Sequence, residues 1–438
     1  MKDCGFGAQL PMAQSLTKIC AATVFGRDNR PIPVKDRSTS NVQETMTAAF
    51  ADIDITTPQD WTFPVPIAFG PGRLSEIGPR AKALGLCNPL IVTDRGSQQL
   101  PFIDALCGYL ANAGLSSGLF AAISPNPRDD EIDAGCVAYR DGGHDGIIAI
   151  GGGSAMDGGK AICLTATNDV DLWAFEYCQA APEIAGGFPT LITIPTTAGT
   201  GAETESTAMV THVDRGMKFC IWHPDLKPAL ALLDPELTIG LPADLTAWTG
   251  VDALVHGIEA YCVPDFHPLC DGMALEGLAL VAKWLPLAVR EPENIAARSG
   301  MLVGSCLTGI AFLKGLGLVH SISHMIGAEY NTQHGLTNAV ILPVVLRFNL
   351  PGMEEKVARM ADAMGLSDRS VDGFIAAVEQ MLDAVNIPVS LSEIGVPAEC
   401  APRIAEKAAL DSATGTNPRR ATVDDLRRLT AMAITKAR

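Results

Sequence analysis

The stretch GIIAIGGGSAMDGGK, residues 146–160, decides the fold class of this chain. Its first five residues are mostly apolar, which is typical of a strand buried on both faces of a parallel sheet. Glycines and then a helical pattern follow, so the backbone can approach a bulky anion closely at a helix N-terminus. The stretch therefore predicts a pyrophosphate-binding loop, although it is neither a G-x-G-x-x-G fingerprint nor a P-loop, and a plain tight turn is the alternative.

Apolar runs on both sides of this stretch continue the same pattern. Residues 66–69, 89–93 and 190–195 are predicted strands, and helices are predicted at 73–84 and 100–113. Strands that alternate with helices indicate βαβ units and a parallel sheet. The first half of the chain is therefore expected to be a Rossmann-like α/β dinucleotide-binding domain.

The strand pattern stops near residue 240, and amphipathic or wholly apolar helical stretches follow. Pro and Gly separate these stretches. The predicted helices are 243–262, 268–289, 296–315, 318–330, 336–348, 353–364, 371–386, 400–410 and 422–436. We predict an α/β domain at 56–240 and an all-helical domain at 241–438. Residues 1–55 are polar and without periodicity, and they are expected to form a loosely ordered extension.

Two further features of the α/β half favour a dinucleotide ligand. The loop PTTAGTGAE, residues 195–203, follows a predicted strand, and its hydroxyls and glycines suit phosphate and ribose; an ordinary polar loop is the alternative. Asp94 ends another predicted strand, where a carboxylate accepts hydrogen bonds from ribose hydroxyls and repels a 2′-phosphate. A helix N-cap is the alternative role for Asp94. Together these features favour NAD over NADP.

The helical half contains residues of the types that bind metal ions, at helical spacing. Asp252 and His256 are four residues apart, as are His320 and His324, so each pair shares one helix face. His334 follows the second predicted helix, where a turn can fold it back. A carboxylate and several imidazoles suit Fe²⁺ or Zn²⁺ with one position left for substrate. The spacing leaves open which of the five residues bind, and a histidine on an apolar face can also be a core residue.

The composition of the chain excludes other classes of function. A formal net charge of −17 disfavours nucleic acids and anionic membranes as partners. We find neither a continuous apolar run of about 18 residues nor an A-x-A cleavage pattern, and we therefore expect a cytoplasmic protein without a membrane span. The twelve cysteines include no C-x-x-C pair, which favours reduced thiols.

In their order and spacing, these motifs resemble those of the iron-containing (group III) alcohol dehydrogenases. The resemblance covers about residue 60 to the C-terminus, and it rests on GGGSAMDGGKA at 151–161, TIPTTAGTGAE at 193–203, DPELT at 234–238, GVDALVHGIEAY at 250–261 and GLGLVHSISHMIGAEYNTQHG at 315–335. It implies a dehydroquinate synthase-like fold with the active site in a cleft between two domains. Met325 and Ala202 stand where many members have Pro and Ser.

The resemblance also implies roles for individual residues. The implied ligands of a divalent metal, Fe²⁺ in preference to Zn²⁺, are Asp252, His256, His320 and His334. The implied NAD-binding residues are Asp94, Gly151, Gly152, Gly153, Ser154, Asp157, Thr196, Thr197 and Thr200. His324 lies one helical turn beyond a ligand, near the substrate and the nicotinamide. We expect it to relay a proton.

The expected activity is reversible hydride transfer between NAD and a primary alcohol, diol or hydroxy acid, with the metal as Lewis acid. A homodimer or a higher homo-oligomer is the implied assembly. The alternatives are a lyase of the dehydroquinate synthase type, a maleylacetate reductase-like enzyme and a scaffold protein with a degenerate site. Lys314 is a candidate contact for a substrate carboxylate, and a solvated helix-end lysine is the alternative.

Overall fold

The computed structural model describes residues 65–438, so the extension predicted at 1–55 lies outside the described residues. The strands are β1 (Ile67–Phe69), β2 (Leu90–Asp94), β3 (Gly118–Ile123), β4 (Gly146–Gly151), β5 (Thr190–Pro195), β6 (Thr207–His212), β7 (Met217–Trp222) and β8 (Leu230–Leu233). The helices between them are α1 (Ile77–Ala83), α2 (Pro101–Asn112), α3 (Asp129–Asp141) and α4 (Gly153–Thr165). The predicted alternation of strands and helices is confirmed.

Six parallel strands form the main sheet in the order β1-β8-β5-β4-β2-β3. The chain runs outward from β2 to β3 and then returns to the other side of β2 as β4. The strand order therefore reverses between β2 and β4, which is the position where open α/β sheets bind ligands beyond the carboxyl ends of their strands. Asp94 and Gly151 end the two strands that flank this crevice.

Helices cover both faces of the sheet, and β4 is buried over its whole length. Ile147 and Ala149 pack against α3 and α4 on one face, whereas Ile148 and Ile150 pack against α1 and α2 on the other. Alternate side chains of a strand point to opposite faces. Because β4 is covered on both faces, its sequence is continuously apolar. The parallel sheet was predicted from sequences of this kind.

The helical part begins ten residues after the last strand of the described chain. Its helices are α5 (Ala243–Cys262), α6 (Pro268–Arg290), α7 (Ile295–Ala311), α8 (Leu318–Tyr330), α9 (His334–Asn349), α10 (Glu354–Ala363), α11 (Val371–Ala384), α12 (Ala401–Ala408), α13 (Ser412–Thr416) and α14 (Val423–Thr435). Each predicted helix is confirmed, and the short α13 is an addition. The division into domains at residue 240 stays a prediction.

Two of these helical segments, Pro268–Arg290 and Ile295–Lys314, are long and apolar enough to cross a membrane by length and composition. We did not expect segments of this kind from the sequence. Val281, Leu285 and Leu302 of these segments are buried in one core with α5. A helix that is apolar on most sides is typical of the interior of a helical bundle as well as of a membrane.

Two smaller features of the fold are its cysteines and a separate hairpin. The cysteines of the described chain, from Cys87 to Cys400, are free thiols. Strands β6 and β7 were not predicted. They form a separate antiparallel hairpin, in which Thr207 pairs with Trp222 and His212 pairs with Met217.

Candidate active site: a carboxylate and histidine cluster beside a glycine-rich loop

Four predicted metal ligands converge from three helices. Asp252 and His256 lie one turn apart on α5, His320 lies on α8, and His334 is the first residue of α9. Oδ1 of Asp252 is 3.8 Å from Nε2 of each of the three histidines. Two atoms bonded to one ion at about 2.1 Å are at most about 4.2 Å apart. The three distances from the carboxylate therefore fit a single ion.

The imidazole rings present the nitrogen that a metal requires. Nδ1 of His256 lies 3.2 Å from the carbonyl oxygen of Gly199, and a hydrogen bond there leaves Nε2 free of a proton. Burial lowers the pKa of His256 to about 4. Burial, together with nearby positive groups such as Lys218, holds the pKa of His334 well below its usual range. Neutral imidazole is the form that binds metals, so the cluster fits a divalent ion.

Glu259 contacts the side of His320 that faces away from Asp252, and no role was predicted for it from the sequence. Its buried carboxylate accepts the N–H groups of Gly317 and Val319 at the start of α8, and it lies 2.6 Å from Nδ1 of His320. Burial lowers the pKa of His320, but the hydrogen bond and charge of Glu259 outweigh this and raise it. Glu259 follows His256 by three residues on one helix face, so this spacing could have identified it.

Asn338 is a second residue that the sequence analysis missed. It lies one turn after His334 on α9 and is fully buried. Its amide nitrogen donates to Oδ1 of Asp252 at 2.7 Å and lies 3.2 Å from Nε2 of His320. The i, i+4 spacing to His334 could have identified it. Asn338 holds the carboxylate of Asp252 in the centre of the cluster.

His324 lies outside the group of four ligand atoms and makes a different contact. Its Nδ1 is 2.9 Å from Oδ2 of Asp411, and its ring stacks on that of His334 with centroids 5.5 Å apart. Asp411 also caps α13 by accepting the N–H of Ala413. Burial raises the pKa of Asp411, but His324 outweighs this effect and lowers it. The pair forms a buried imidazole–carboxylate dyad beside the cluster.

A cavity of about 340 Å³ joins the two halves of the site. The four clustered residues and His324 line it on the helical side. On the α/β side it is lined by four of the predicted cofactor residues, Gly153, Ser154, Asp157 and Thr200. The other five lie outside this lining, near the carboxyl ends of β2, β4 and β5; they are Asp94, Gly151, Gly152, Thr196 and Thr197.

The glycine-rich loop leaves the N-terminus of α4 open. Gly152 precedes the helix, and no side chain caps the first N–H groups. Gly151 has φ 144°, and a Cβ there would lie 2.9 Å from the carboxylate of Asp94. A Cβ on Gly153 would lie 2.6 Å from Thr200 in the second loop. An uncapped helix N-terminus beside close-packed loops fits a pyrophosphate group.

Several predicted cofactor residues also make contacts within the protein. Asp94 accepts hydrogen bonds from the backbone N–H and the hydroxyl of Ser97, a turn contact similar to the N-cap alternative. Ser154 donates to the carbonyl of Pro125. Asp157 accepts from the N–H of Met209, and burial raises its pKa to about 6. The roles of these residues in binding NAD stay predictions.

Two lysines differ from what the sequence indicated. Lys314 is buried and forms an ion pair with Asp271 at 2.6 Å, and it does not line the cavity. Both interpretations of Lys314, as a substrate contact and as a solvated lysine, were therefore wrong. Lys218 on β7 does line the cavity, and no motif had singled it out.

Comparisons with known proteins agree with this geometry. Residues 64–235 match the family model described as iron-containing alcohol dehydrogenase, and residues 246–434 match the C-terminal model of the Fe-containing alcohol dehydrogenase family. The NAD-dependent methanol dehydrogenase of Bacillus methanolicus is 35% identical over 372 residues, covering 83% of this chain and 97% of that protein.

Solved structures show the same architecture. A crystal structure of a 1,3-propanediol oxidoreductase matches with a TM-score of 0.81 and 35% identity, covering 86% of this chain and 100% of the other. The sulfoacetaldehyde reductase from Bifidobacterium kashiwanohense in complex with NAD⁺ matches with a TM-score of 0.78 and 28% identity, covering 86% and 99%.

The fold, the clustered ligands and these matches define an oxidoreductase that acts on CH–OH groups with NAD. The chain belongs to the iron-containing alcohol dehydrogenase family. The resemblance inferred from the motifs is confirmed, and so are the predicted fold class and the metal-containing, NAD-dependent activity.

Proposed function

We propose that this enzyme interconverts small primary alcohols, including diols and hydroxy acids, and their aldehydes with NAD. One observation carries the proposal: the carboxylate and histidine cluster and the N-terminus of α4 open into one cavity. A cavity of about 340 Å³ is near the lower end of small-molecule sites, which favours a small substrate. An NADH-formation screen of primary alcohols, diols and hydroxy acids, on protein of known metal content, tests it.

We assign one divalent ion to Asp252, His256, His320 and His334, with Fe²⁺ favoured over Zn²⁺. Carboxylate and imidazole ligands suit either metal, and the family name supports iron. When bound, the ion supplies a Lewis acid for the substrate oxygen and NAD supplies the hydride acceptor. Metal analysis of protein purified without added metal distinguishes the two ions.

Residues of the chain orient these groups. Gly199 and Glu259 fix the rings of His256 and His320 through their Nδ1 atoms. Phe312 lies against the ring of His256 with centroids 4.9 Å apart, and Leu316 lines the same cavity. These apolar groups exclude water from that side of the site, which strengthens electrostatic interactions within it.

We assign the proton relay to His324. A hydrogen bond from its Nδ1 to Asp411 holds the ring in one tautomer, so that Nε2 is free to accept a proton during alcohol oxidation. In aldehyde reduction the same nitrogen returns the proton. Asp411 is a positioning residue that stabilises the protonated ring.

The His324→Ala variant is expected to lose about a hundredfold or more in kcat while keeping its metal, because general acid–base groups contribute about 10²- to 10⁴-fold. Added imidazole should restore part of the activity, which a purely structural role for His324 would not allow. His144→Ala, in a histidine that does not line the cavity, is the control. Unchanged kcat, or no rescue by imidazole, would remove the relay assignment.

We assign the choice of NAD over NADP to Asp94. The Asp94→Ser variant removes the carboxylate and is expected to raise KM for NAD about tenfold and to lower KM for NADP, because a 2′-phosphate is no longer repelled. Steady-state kinetics with both cofactors measure the change. The Asp94→Asn variant keeps an acceptor and removes only the charge. An unaltered NAD to NADP ratio in both variants would contradict the assignment.

A cytoplasmic location and assembly as a homo-oligomer complete the proposal. The acidic composition and the free thiols of the described chain support the location. Ile67 and Phe69 are both 41% exposed on β1, an edge strand of the main sheet. An exposed apolar edge strand supports pairing between subunits.

A further inference from the structure

One buried carboxyl group of the cavity wall makes no hydrogen bond within the described chain, although the charge of Lys160 acts on it. Glu205 lies between β5 and β6, only 1% of it is exposed, and both of its carboxylate oxygens lack a hydrogen bond. It lines the cavity that the metal-ligand cluster also lines. Burying a polar group without a partner is unfavourable, so a group in the cavity is expected to satisfy it.

Trp222, which lines the same cavity, carries a second polar atom without a hydrogen bond. Its Nε1 is buried without a hydrogen bond, and the residue ends β7. Of the buried side-chain atoms without a hydrogen bond in the described chain, only those of Glu205 and Trp222 belong to residues that line the cavity. Lys160, which also lines it, donates to the carbonyl of Thr207 at 2.8 Å. The cavity therefore offers one carboxyl group and one N–H donor that a ligand can pair.

The chemistry of these two groups selects among ligands. An indole N–H only donates, whereas a carboxyl group accepts, so a group that both accepts and donates pairs with both. A hydroxyl does so. A substrate carboxylate only accepts, so it could not donate to the carboxyl group of Glu205. A substrate ammonium only donates, so it could not accept the N–H of Trp222.

We infer that Glu205 and Trp222 bind a second hydroxyl group of the substrate and make the enzyme selective for diols over mono-alcohols. This inference rests on the proposed function and names its substrate class. Leu313 and Leu316 line the same cavity and suit the methylene groups of a short diol. Burial raises the pKa of Glu205 to about 8, so the carboxyl group is mostly neutral at pH 7. A neutral carboxyl group donates as well as accepts, which matches a hydroxyl on both counts.

The test compares 1,3-propanediol with 1-propanol on metal-loaded protein with NAD. Wild-type kcat/KM is expected to be at least about tenfold higher for the diol, because a site that hydrogen-bonds a hydroxyl rejects the analogue that lacks it. Glu205→Leu should lower the diol to mono-alcohol ratio about tenfold, whereas Glu205→Gln, which keeps a donor and an acceptor, should hold it within about threefold. Trp222→Phe removes only the N–H and should lower the ratio about three- to tenfold.

The control is Glu276→Gln, a change in an exposed acid on α6 that does not line the cavity, and it should keep the wild-type ratio. Equal kcat/KM of the wild type for the two alcohols overturns the diol site but not the proposed function. An unchanged diol to mono-alcohol ratio in both Trp222→Phe and Glu205→Leu does the same. A tenfold preference for 3-amino-1-propanol over the diol also overturns it. Absence of NADH formation from every alcohol tested overturns the proposed function instead. If Glu205→Leu does not fold, the other two variants test the diol site. The diol to mono-alcohol ratio should then fall in Trp222→Phe and stay within about threefold of wild type in Glu205→Gln.

Discussion

The His256→Ala variant is expected to lose most of its bound metal and at least about a thousandfold in kcat/KM. Lewis-acid stabilisation contributes several kcal/mol to the transition state, and about 1.4 kcal/mol corresponds to tenfold in rate. His256 contributes one of three Nε2 atoms around Asp252, and its ring is fixed by Gly199, so no neighbouring imidazole can take its position. Metal content per chain and steady-state kinetics with a primary alcohol measure both effects.

The matched control is again His144→Ala. Nδ1 of His144 lies 3.0 Å from the carbonyl oxygen of Asn88, away from the cavity. This variant is expected to keep full metal content, although it opens a small void between α3 and β4. An inactive His256→Ala protein that bound metal as tightly as the wild type would contradict the ligand assignment.

The Glu259→Gln variant is expected to weaken metal binding about 10- to 100-fold, the range for groups that orient a metal-binding histidine. The amide can accept at its oxygen, but its NH₂ group must face an N–H of Gly317 or Val319 or the Nδ1 hydrogen of His320. One buried donor therefore loses its acceptor, which costs about 2 kcal/mol of folding stability. Metal titration and thermal unfolding of the metal-free protein separate the two effects.

Glu276 provides the control for this change, because it is exposed on the neighbouring helix α6. Glu276→Gln should leave metal affinity and unfolding temperature close to those of the wild type. If Glu259→Gln lowered stability but left metal affinity unchanged, Glu259 would act only as the cap of α8. If the unfolding temperature were unchanged and metal binding were weaker, Glu259 would act only by orienting His320.

The sequence predicted the parts of the fold that are strongly periodic or wholly buried. Helices α5 and α8 were predicted with their observed ends, because Pro242 and Gly317 precede them and the apolar pattern stops where each ends. The central strands β2, β4 and β5 have continuous apolar sequences because helices cover both faces of the sheet.

Among the other strands of the main sheet, β1 was predicted, whereas β3 and β8 were not, although their sequences GLFAAI and LALL are apolar. β3 lies at the sheet edge and is partly exposed, and β8 has only four residues. The hairpin β6–β7 mixes polar and apolar residues on both strands, and its turn at Val213–Gly216 contains no Asn-Gly or Asp-Gly pair. Short or half-exposed strands depend on contacts that form only in the folded protein, so local sequence does not identify them.

The candidate site was predictable where its residues are close in sequence. The i, i+4 spacing paired Asp252 with His256, and the same kind of spacing would have found Asn338 next to His334. The pairing of His324 with Asp411 spans 87 residues, and that of Lys314 with Asp271 spans 43. No local spacing predicts such pairs, because only the packing of distant helices brings them together.

The hairpin of β6 and β7 is separate from the main sheet, which affects how the substrate preference of this enzyme can change. β6 and β7 form their own two-stranded sheet. They contribute Met209, Lys218 and Trp222 to the cavity wall, and Glu205, which precedes β6, also lines it. The clustered ligands are on α5, α8 and α9, and the glycine-rich loop is attached to the main sheet. Mutations at Met209 or Trp222 can therefore reshape this end of the cavity without touching the residues assigned to the metal, whereas Lys218 also acts on the pKa of His334. This segment is accordingly the part of the chain in which a lineage can exchange one alcohol for another by few steps.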